Sequence, residues 1–189
     1  MKITKISTFS TGFSIGSGPA LTDTNLKWIF LKIDTDEGIS GWGEVGTSAK
    51  ISEKLMSTAV KEVEYQIIGE NPMDTDRLWN KLYRLFTYIG SRGFTTSLTA
   101  GFDIALWDIK GKAANMPIYD LLGGRYRDAI RLYCNVWFSG CNTPEEYAEA
   151  AKKNLLEKNY EACKLDPFLE MTPYHTMYQD GFISQKGEQ

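Results

Sequence analysis

The stretch TSLTAGFDIALWDIKGKAANMPIYDLLGG, from Thr96 to Gly124, constrains the fold more than any other part of the chain. Wound at about 100° per residue, it places Leu98, Phe102, Ala105, Leu106, Ile109 and Ala113 on one face. Ala100, Ile104, Trp107 and Gly111 gather on nearly the opposite side. A helix that is apolar on two faces needs two partners, so this one reads as a seam between two layers; a single core around one helix is the alternative. Asp103 and Asp108 fall near the boundaries of the faces, where a carboxylate can reach water or a donor without being buried unpaired. Pro117 then opens a short helix that Gly123 closes.

The segments before this helix read as strands and then helices. Ile3, Ile6 and Phe9 open a strand, and a Gly/Ser-rich stretch from Ser10 through Pro19 reads as a loop too long for a hairpin turn. Trp28 to Asp34 and Ile39 to Val45 read as two further strands joined at Asp36-Glu37-Gly38, an antiparallel hairpin. Ile51, Leu55, Ala59, Val63 and Ile67 recur at helical spacing from about Ala49 to Ile67, with Gly69 and Pro72 as the stop. A second helix starts at Asp74-Thr75 and carries Leu78, Leu82, Leu85 and Ile89 on one stripe. Strands and helices that segregate in this way define an α+β domain.

After Gly124 the pattern changes. Ile130 to Trp137 is strand-like, and Thr143-Pro144-Glu145-Glu146 has the form of a capped helix start with Glu three residues after the cap. The helix continues to about Lys158, and Tyr160 to Lys164 reads as another short strand. This is a β-α-β unit with a helical crossover, the building block of parallel sheets and of the (β/α)8 barrel. The change falls near Arg125 to Asp128, so residues 1–127 are expected as one domain and 128–189 as a second.

Composition excludes several classes of function. With 42% hydrophobic and 24% charged residues and a net charge of -3, the chain is globular, and it has no basic run or aromatic-plus-basic stripe for nucleic acid or a membrane surface. The N-terminal MKITKISTFSTGFSIG alternates apolar and polar residues instead of carrying a signal peptide's apolar run, and no segment is long enough to span a bilayer. Cys134, Cys141 and Cys163 lack the paired spacing of a zinc site and read as reduced structural thiols in a cytoplasmic protein.

The order MKIT…WIFLKIDTDEGISGWGEV, then LTAGFDIALWDIKGKAANMPIYDLLGG, IRLYCNVW and YEACKLDPF resembles the N-terminal half of an enolase-superfamily enzyme of the mandelate racemase/muconate lactonizing branch. The resemblance implies a capping domain of three antiparallel strands plus helices, followed by the first two strands and first helix of a (β/α) barrel, incomplete in this chain. It implies abstraction of the proton α to a carboxylate, giving an enediolate that needs a Lewis acid and a preorganised site near neutral pH. Magnesium with a Lys or His base is the general template, and magnesium is therefore expected for the full-length family enzyme, with none bound by this chain alone. Relatives place a Lys-x-Lys pair at the end of the second barrel strand. Here that position reads Lys164-Leu165-Asp166.

The resemblance therefore implies Lys164 and Asp166 as the candidate catalytic residues, and side chains two apart on a strand do project to one side. Asp166 departs from the pattern: it can accept a proton, bond a substrate hydroxyl or hold Lys164 charged, but it cannot replace a cation. Racemisation wants a base on each face of the substrate, so dehydration of an acid sugar is preferred over racemisation or cycloisomerisation. By resemblance, the loops Ser14, Ile15, Gly16, Ser17 and Gly46, Thr47, Ser48 help select the small carboxylate substrate; glycines beside small polar residues suit such a lid.

Counting from Gly124, 189 minus 124 leaves 65 residues, whereas a (β/α)8 barrel takes about 250. The family's acidic metal ligands and His-Asp dyad are thus expected beyond Gln189. His175 reads as a surface residue, and Glu170, Asp180 and Glu188 lack the strand context to converge on a metal. Two readings follow: the N-terminal portion of a magnesium-dependent dehydratase, inactive alone, or a non-catalytic assembly domain that uses an open sheet edge. A homo-oligomer, or pairing with the missing part of the barrel, fits either.

Overall fold

The computed structural model describes residues 1–13, 26–45, 53–90, 92–135, 137–138, 141 and 143–165. It divides into two compact units, the described residues through Tyr126 and those from Arg127 onward. Among the described residues no helix is long and apolar enough to cross a membrane.

The first unit is a three-stranded antiparallel sheet, β1 (Ile3–Phe13), β2 (Leu26–Thr35) and β3 (Ser40–Glu44), in the order β1-β2-β3. β1 continues through Ser10 to Phe13, where the sequence suggests a loop, because Leu26 to Ile29 stand opposite and complete its ladder. A ladder partner satisfies the backbone whatever the side chains, so small polar residues can sit on an edge strand. β2 and β3 form the expected hairpin, with Gly38 at φ 78° in the turn and the Thr35 N–H donating to the Ile39 carbonyl at 3.1 Å.

The helices α1 (Glu53–Val63), α2 (Thr75–Leu85) and α3 (Phe94–Ala114) follow, then the single turn α4 (Ile118–Leu121). α1 tightens into a 3-10 turn at Glu64–Gln66. Its buried stripe is Met56, Val60 and Val63; Leu55, which the spacing places on the buried face, is 54% exposed, and Met56, one position on, takes its place. Ile89 falls beyond the end of α2 and is exposed, whereas Leu78 and Leu82 are fully buried. Asn115, in the left-handed conformation, stops α3, and the Met116 N–H donates to the Gly111 carbonyl at 2.9 Å.

Ile3, Ile6, Ile29, Leu31 and Ile33 on one side of the sheet meet the apolar stripes of the helices in one core. Leu98, Phe102, Ala105, Leu106 and Ile109 of α3 are all buried there, as the helical wheel requires, but Ala113 at the end of the helix is exposed. On the second face Gly111 is buried, Ala100 and Trp107 are partly covered and Ile104 is 47% exposed.

α3 lies against β3 with backbone touching backbone. A Cβ added at Gly41 would overlap the Ala105 carbonyl oxygen, and one at Gly43 would overlap the Gly101 carbonyl oxygen. Trp42, between them, points to the other side of the sheet, 5.2 Å from Phe9 by ring centroids. Its backbone N–H donates to Asp108 Oδ2 at 2.9 Å, and Lys112 Nζ, 2.6 Å from the same oxygen, also reaches the Ser40 carbonyl at 2.8 Å.

The turn after α1 closes back on β1: the Ile3 N–H donates to the Glu70 carbonyl at 3.0 Å and the Gly69 N–H to the Ile3 carbonyl at 2.8 Å. Arg77 at 2.7 Å and Lys81 at 2.9 Å hold the Glu70 carboxylate. Arg77 first and Lys81 second keep that carboxyl below its usual 4.5.

In the second unit, Thr143 caps α5 (Pro144–Lys152) with the expected reciprocal pair: the Glu146 N–H donates to Thr143 Oγ1 at 3.3 Å and the Thr143 N–H to Glu146 Oε2 at 3.2 Å. α5 widens into a π turn at Lys153–Glu157, where Asn154 Nδ2 donates to the Ala150 carbonyl at 2.8 Å. Among the described residues the expected strands Ile130 to Trp137 and Tyr160 to Lys164 reduce to one parallel bridge, Cys134 opposite Cys163. Parallel bonds are slanted and weaker per residue, so a pair with no third strand among the described residues does not extend into a ladder.

Two predictions follow from this packing. Gly43→Ala must push α3 off β3 and is expected to cost about 3 kcal/mol, the upper end for overpacking because backbone cannot rotate away; urea unfolding measures it. Glu70→Gln is expected to cost about 1 kcal/mol or less at neutral pH. The folded carboxyl titrates below the unfolded one, so this stabilisation is present above the ordinary glutamate range and is lost as pH falls through the lowered value. Melting curves of wild type and variant should therefore converge in acid.

Candidate functional site

Of the residues the sequence singles out for chemistry, Lys164 is the one among the described residues. Ser14, Ile15, Gly16, Ser17, Gly46, Thr47, Ser48, Asp166, Glu170, His175, Asp180 and Glu188 lie outside them. β1 and β3 flank β2 on opposite sides of the sheet, and each runs antiparallel to β2 and so parallel to the other; both finish toward the same end, Phe13 opposite Leu26 and Glu44 opposite Phe30. Near the end of β1 Ser10 Oγ donates to Glu53 Oε1 at 2.5 Å, which ties that strand to the first turn of α1.

Lys164 is exposed, and its backbone is held on two sides. Its N–H donates to the Cys134 carbonyl at 2.8 Å, and its own carbonyl accepts from the Trp137 indole Nε1 at 2.6 Å. Trp137 is in turn fixed by aromatic contacts. It meets Phe138 edge-on at 5.5 Å and Tyr147 of α5 edge-on at 6.3 Å, while Tyr147 stacks on buried Phe138 at 6.1 Å. Alongside, Arg131 Nε pairs with Glu161 Oε2 at 2.9 Å. The crossover helix thus reaches Lys164 through one indole.

Sequence reasoning places Trp137 at the end of a strand and misses this role. A half-buried indole N–H needs an acceptor, but the residue type alone does not identify a carbonyl 27 positions away. Asp108 is read as a boundary carboxylate and proves to be the anchor between α3 and β3. Asp103, the other boundary carboxylate, has its pKa raised by burial first and by the charge of Asp76 second. Among the described residues no group of three or more His, Cys, Asp or Glu side chains could hold a metal ion, so they do not fit a magnesium site.

A three-stranded antiparallel sheet backed by helices, followed in the chain by a helix whose flanking segments meet in one parallel bridge, fits the class of a capping domain leading into parallel α/β structure. Residues 19–123 match the family model described as mandelate racemase / muconate lactonizing enzyme, N-terminal domain. The chain belongs to this family, within the enolase superfamily.

Relatives agree. It is 40% identical over 171 residues to D-galactonate dehydratase of Pectobacterium atrosepticum, which covers 90% of this chain and 40% of that protein. It is 41% identical over 145 residues to D-galactonate dehydratase of Variovorax paradoxus, covering 77% and 36%. Among solved structures, a mandelate racemase candidate from Bordetella bronchiseptica superposes with a TM-score of 0.78 at 28% identity over 97% of this chain and 49% of that one. A dehydratase candidate from Salmonella enterica gives 0.74 at 33% identity over 88% and 42%. The chain therefore spans 36 to 40% of the length of these two dehydratases.

Trp137→Phe keeps the aromatic packing and removes the donor to Lys164. It is expected to cost about 1 kcal/mol and to speed amide exchange at Lys164 more than at residues of α3; hydrogen exchange read by NMR checks it.

Proposed function

We propose that this chain supplies the capping domain, residues 1–127, and the opening β-α-β unit, residues 128–189, of an acid-sugar dehydratase. The observation that carries the reading is the 40% identity over 171 residues with a D-galactonate dehydratase. In this reading Lys164 and Asp166 face the substrate together at a strand end. The Lys164 ammonium meets the substrate carboxylate and the charge that builds on it as the α-proton leaves. Asp166 accepts from a substrate hydroxyl or takes a proton, which suits elimination of water better than inversion at carbon.

The loops Ser14 to Ser17 and Gly46 to Ser48 select the substrate, and β1 and β3, the strands that precede them, finish toward the same end of the sheet, which supports a shared lid. Magnesium is expected of the whole enzyme. Because the described residues present no ligand set, no step here runs through the ion. The apolar surface of the second unit supports an incomplete barrel: Ile130 is 78% exposed, Leu132 67% and Leu156 72%, while Phe138 and Cys141 are its buried apolar residues among those described. On this reading the chain alone is inactive.

The test supplies the rest. The chain with magnesium and a panel of six-carbon acid sugars, galactonate included, is expected to form no 2-keto-3-deoxy acid. Fused to the remaining length of the Pectobacterium atrosepticum relative, it is expected to do so, with Lys164→Ala lowering kcat/KM at least 100-fold (about 3 kcal/mol of transition-state stabilisation). Turnover by the chain alone, or full activity in the Lys164→Ala fusion, overturns the proposal.

A further inference from the structure

We propose that Cys134 and Cys163 are a peroxide-sensitive dithiol that closes to an intramolecular disulfide across the parallel pair of the second unit. The two stand directly opposite each other in the bridge. The bonds on either side fix that register, the Cys134 N–H to the Ala162 carbonyl at 2.9 Å and the Lys164 N–H to the Cys134 carbonyl at 2.8 Å. Residues opposed in this way send their side chains to one face of the pair.

Neighbouring strands lie about 4.8 Å apart, within the Cα separation of about 4.4 to 6.8 Å that a disulfide spans. The Cβ atoms of such a pair are about as far apart as the strands, slightly beyond the roughly 3.5 to 4.5 Å that closure needs. The two segments must therefore draw together by about 0.3 to 1.3 Å. A pairing of one isolated bridge, with no ladder on either side, leaves them the freedom to do so.

Both thiols are half-buried, within reach of a small oxidant, whereas Cys141 is buried and lies outside the bridge. With hydrogen peroxide as oxidant, one thiolate attacks a peroxide oxygen and becomes a sulfenic acid as the O–O bond breaks and one water leaves. The second thiolate attacks that sulfur, the S–O bond breaks and a second water leaves. Two thiols are oxidised and one peroxide is reduced to two waters. The cross-link forms one residue from Lys164 and fixes the strand end that carries it, and it depends on the bridge geometry and not on the chain's activity.

The experiment is intact-mass spectrometry of the full chain after hydrogen peroxide and then alkylation. Expected is a loss of about 2 Da and a fall in alkylatable thiols from three to one. Peptide mapping should join Cys134 to Cys163, with reversal by dithiothreitol and the same result in Cys141→Ser. In Cys163→Ser, Cys134 should stop at a sulfenic acid that dimedone traps. A linkage that includes Cys141, three thiols still alkylated, or sulfinic acid accumulating without the 2 Da loss overturns the proposal.

Discussion

β3 and α3 meet backbone against backbone. Gly41 and Gly43 leave the strand bare on its inner side, so the carbonyls of Gly101 and Ala105 rest where any Cβ would stand. Dispersion falls steeply with separation, and a helix lowered onto a sheet by the width of a methyl group gains contacts along its whole length. This depth sets the geometry of the rest. Phe102, Leu106 and Ile109 reach the same core as Leu31 and Ile33 because the helix sits low, and Asp108 comes close enough to accept the Trp42 amide. The triplet Gly41-Trp42-Gly43 therefore serves both faces of the sheet, bare toward the helix and aromatic toward Phe9.

Much of the first unit is legible in the sequence because its signals are periodic. The wheel of α3 places five residues from Leu98 to Ile109 in the core, and all five are buried. It misplaces Ala113, which falls in the last turn just before Asn115 reverses the chain, whereas Gly111 of the second face is covered by the Met116 backbone and Ile118 that follow that reversal. Leu55 and Met56 are adjacent and similarly apolar, and tertiary packing chooses Met56, a choice that spacing alone does not make. β1 outruns its apolar pattern because a paired strand needs hydrogen-bond partners, not hydrophobic residues. The glycines of β3 are visible as letters, but the depth of contact they permit belongs to a helix some sixty residues away, like the Trp42–Asp108 bond at a separation of 66.

The candidate site is less legible, for a physical reason. A strand-end lysine is chemically ordinary, and the family match over residues 19–123 concerns the capping domain and stops short of Lys164. What distinguishes this lysine is its support. The carbonyl bonded by Trp137, 27 positions away, and the amide bonded to Cys134 are relations between segments distant in sequence, and the indole itself is held by adjacent Phe138 and by Tyr147 of α5. Residue types announce that an indole N–H or a thiol is present, and only the fold says what it meets.

The two units differ in how they are stabilised, and that bears on function. The first buries a continuous apolar cluster between sheet and helices. The second holds itself by local devices: the capping box at Thr143, the aromatic trio around Trp137, the Arg131–Glu161 pair and one parallel bridge. Local bonds of this kind are individually worth about 1 kcal/mol, and they orient a strand end without burying much surface. A strand end that rests on them is positioned but yielding. That suits a segment whose remaining contacts come from further barrel structure, and it also leaves Cys134 and Cys163 the slack to approach. The weakness of the parallel pair and the exposure of Ile130 and Leu132 are thus two consequences of a sheet with no neighbour beyond its second strand among the described residues.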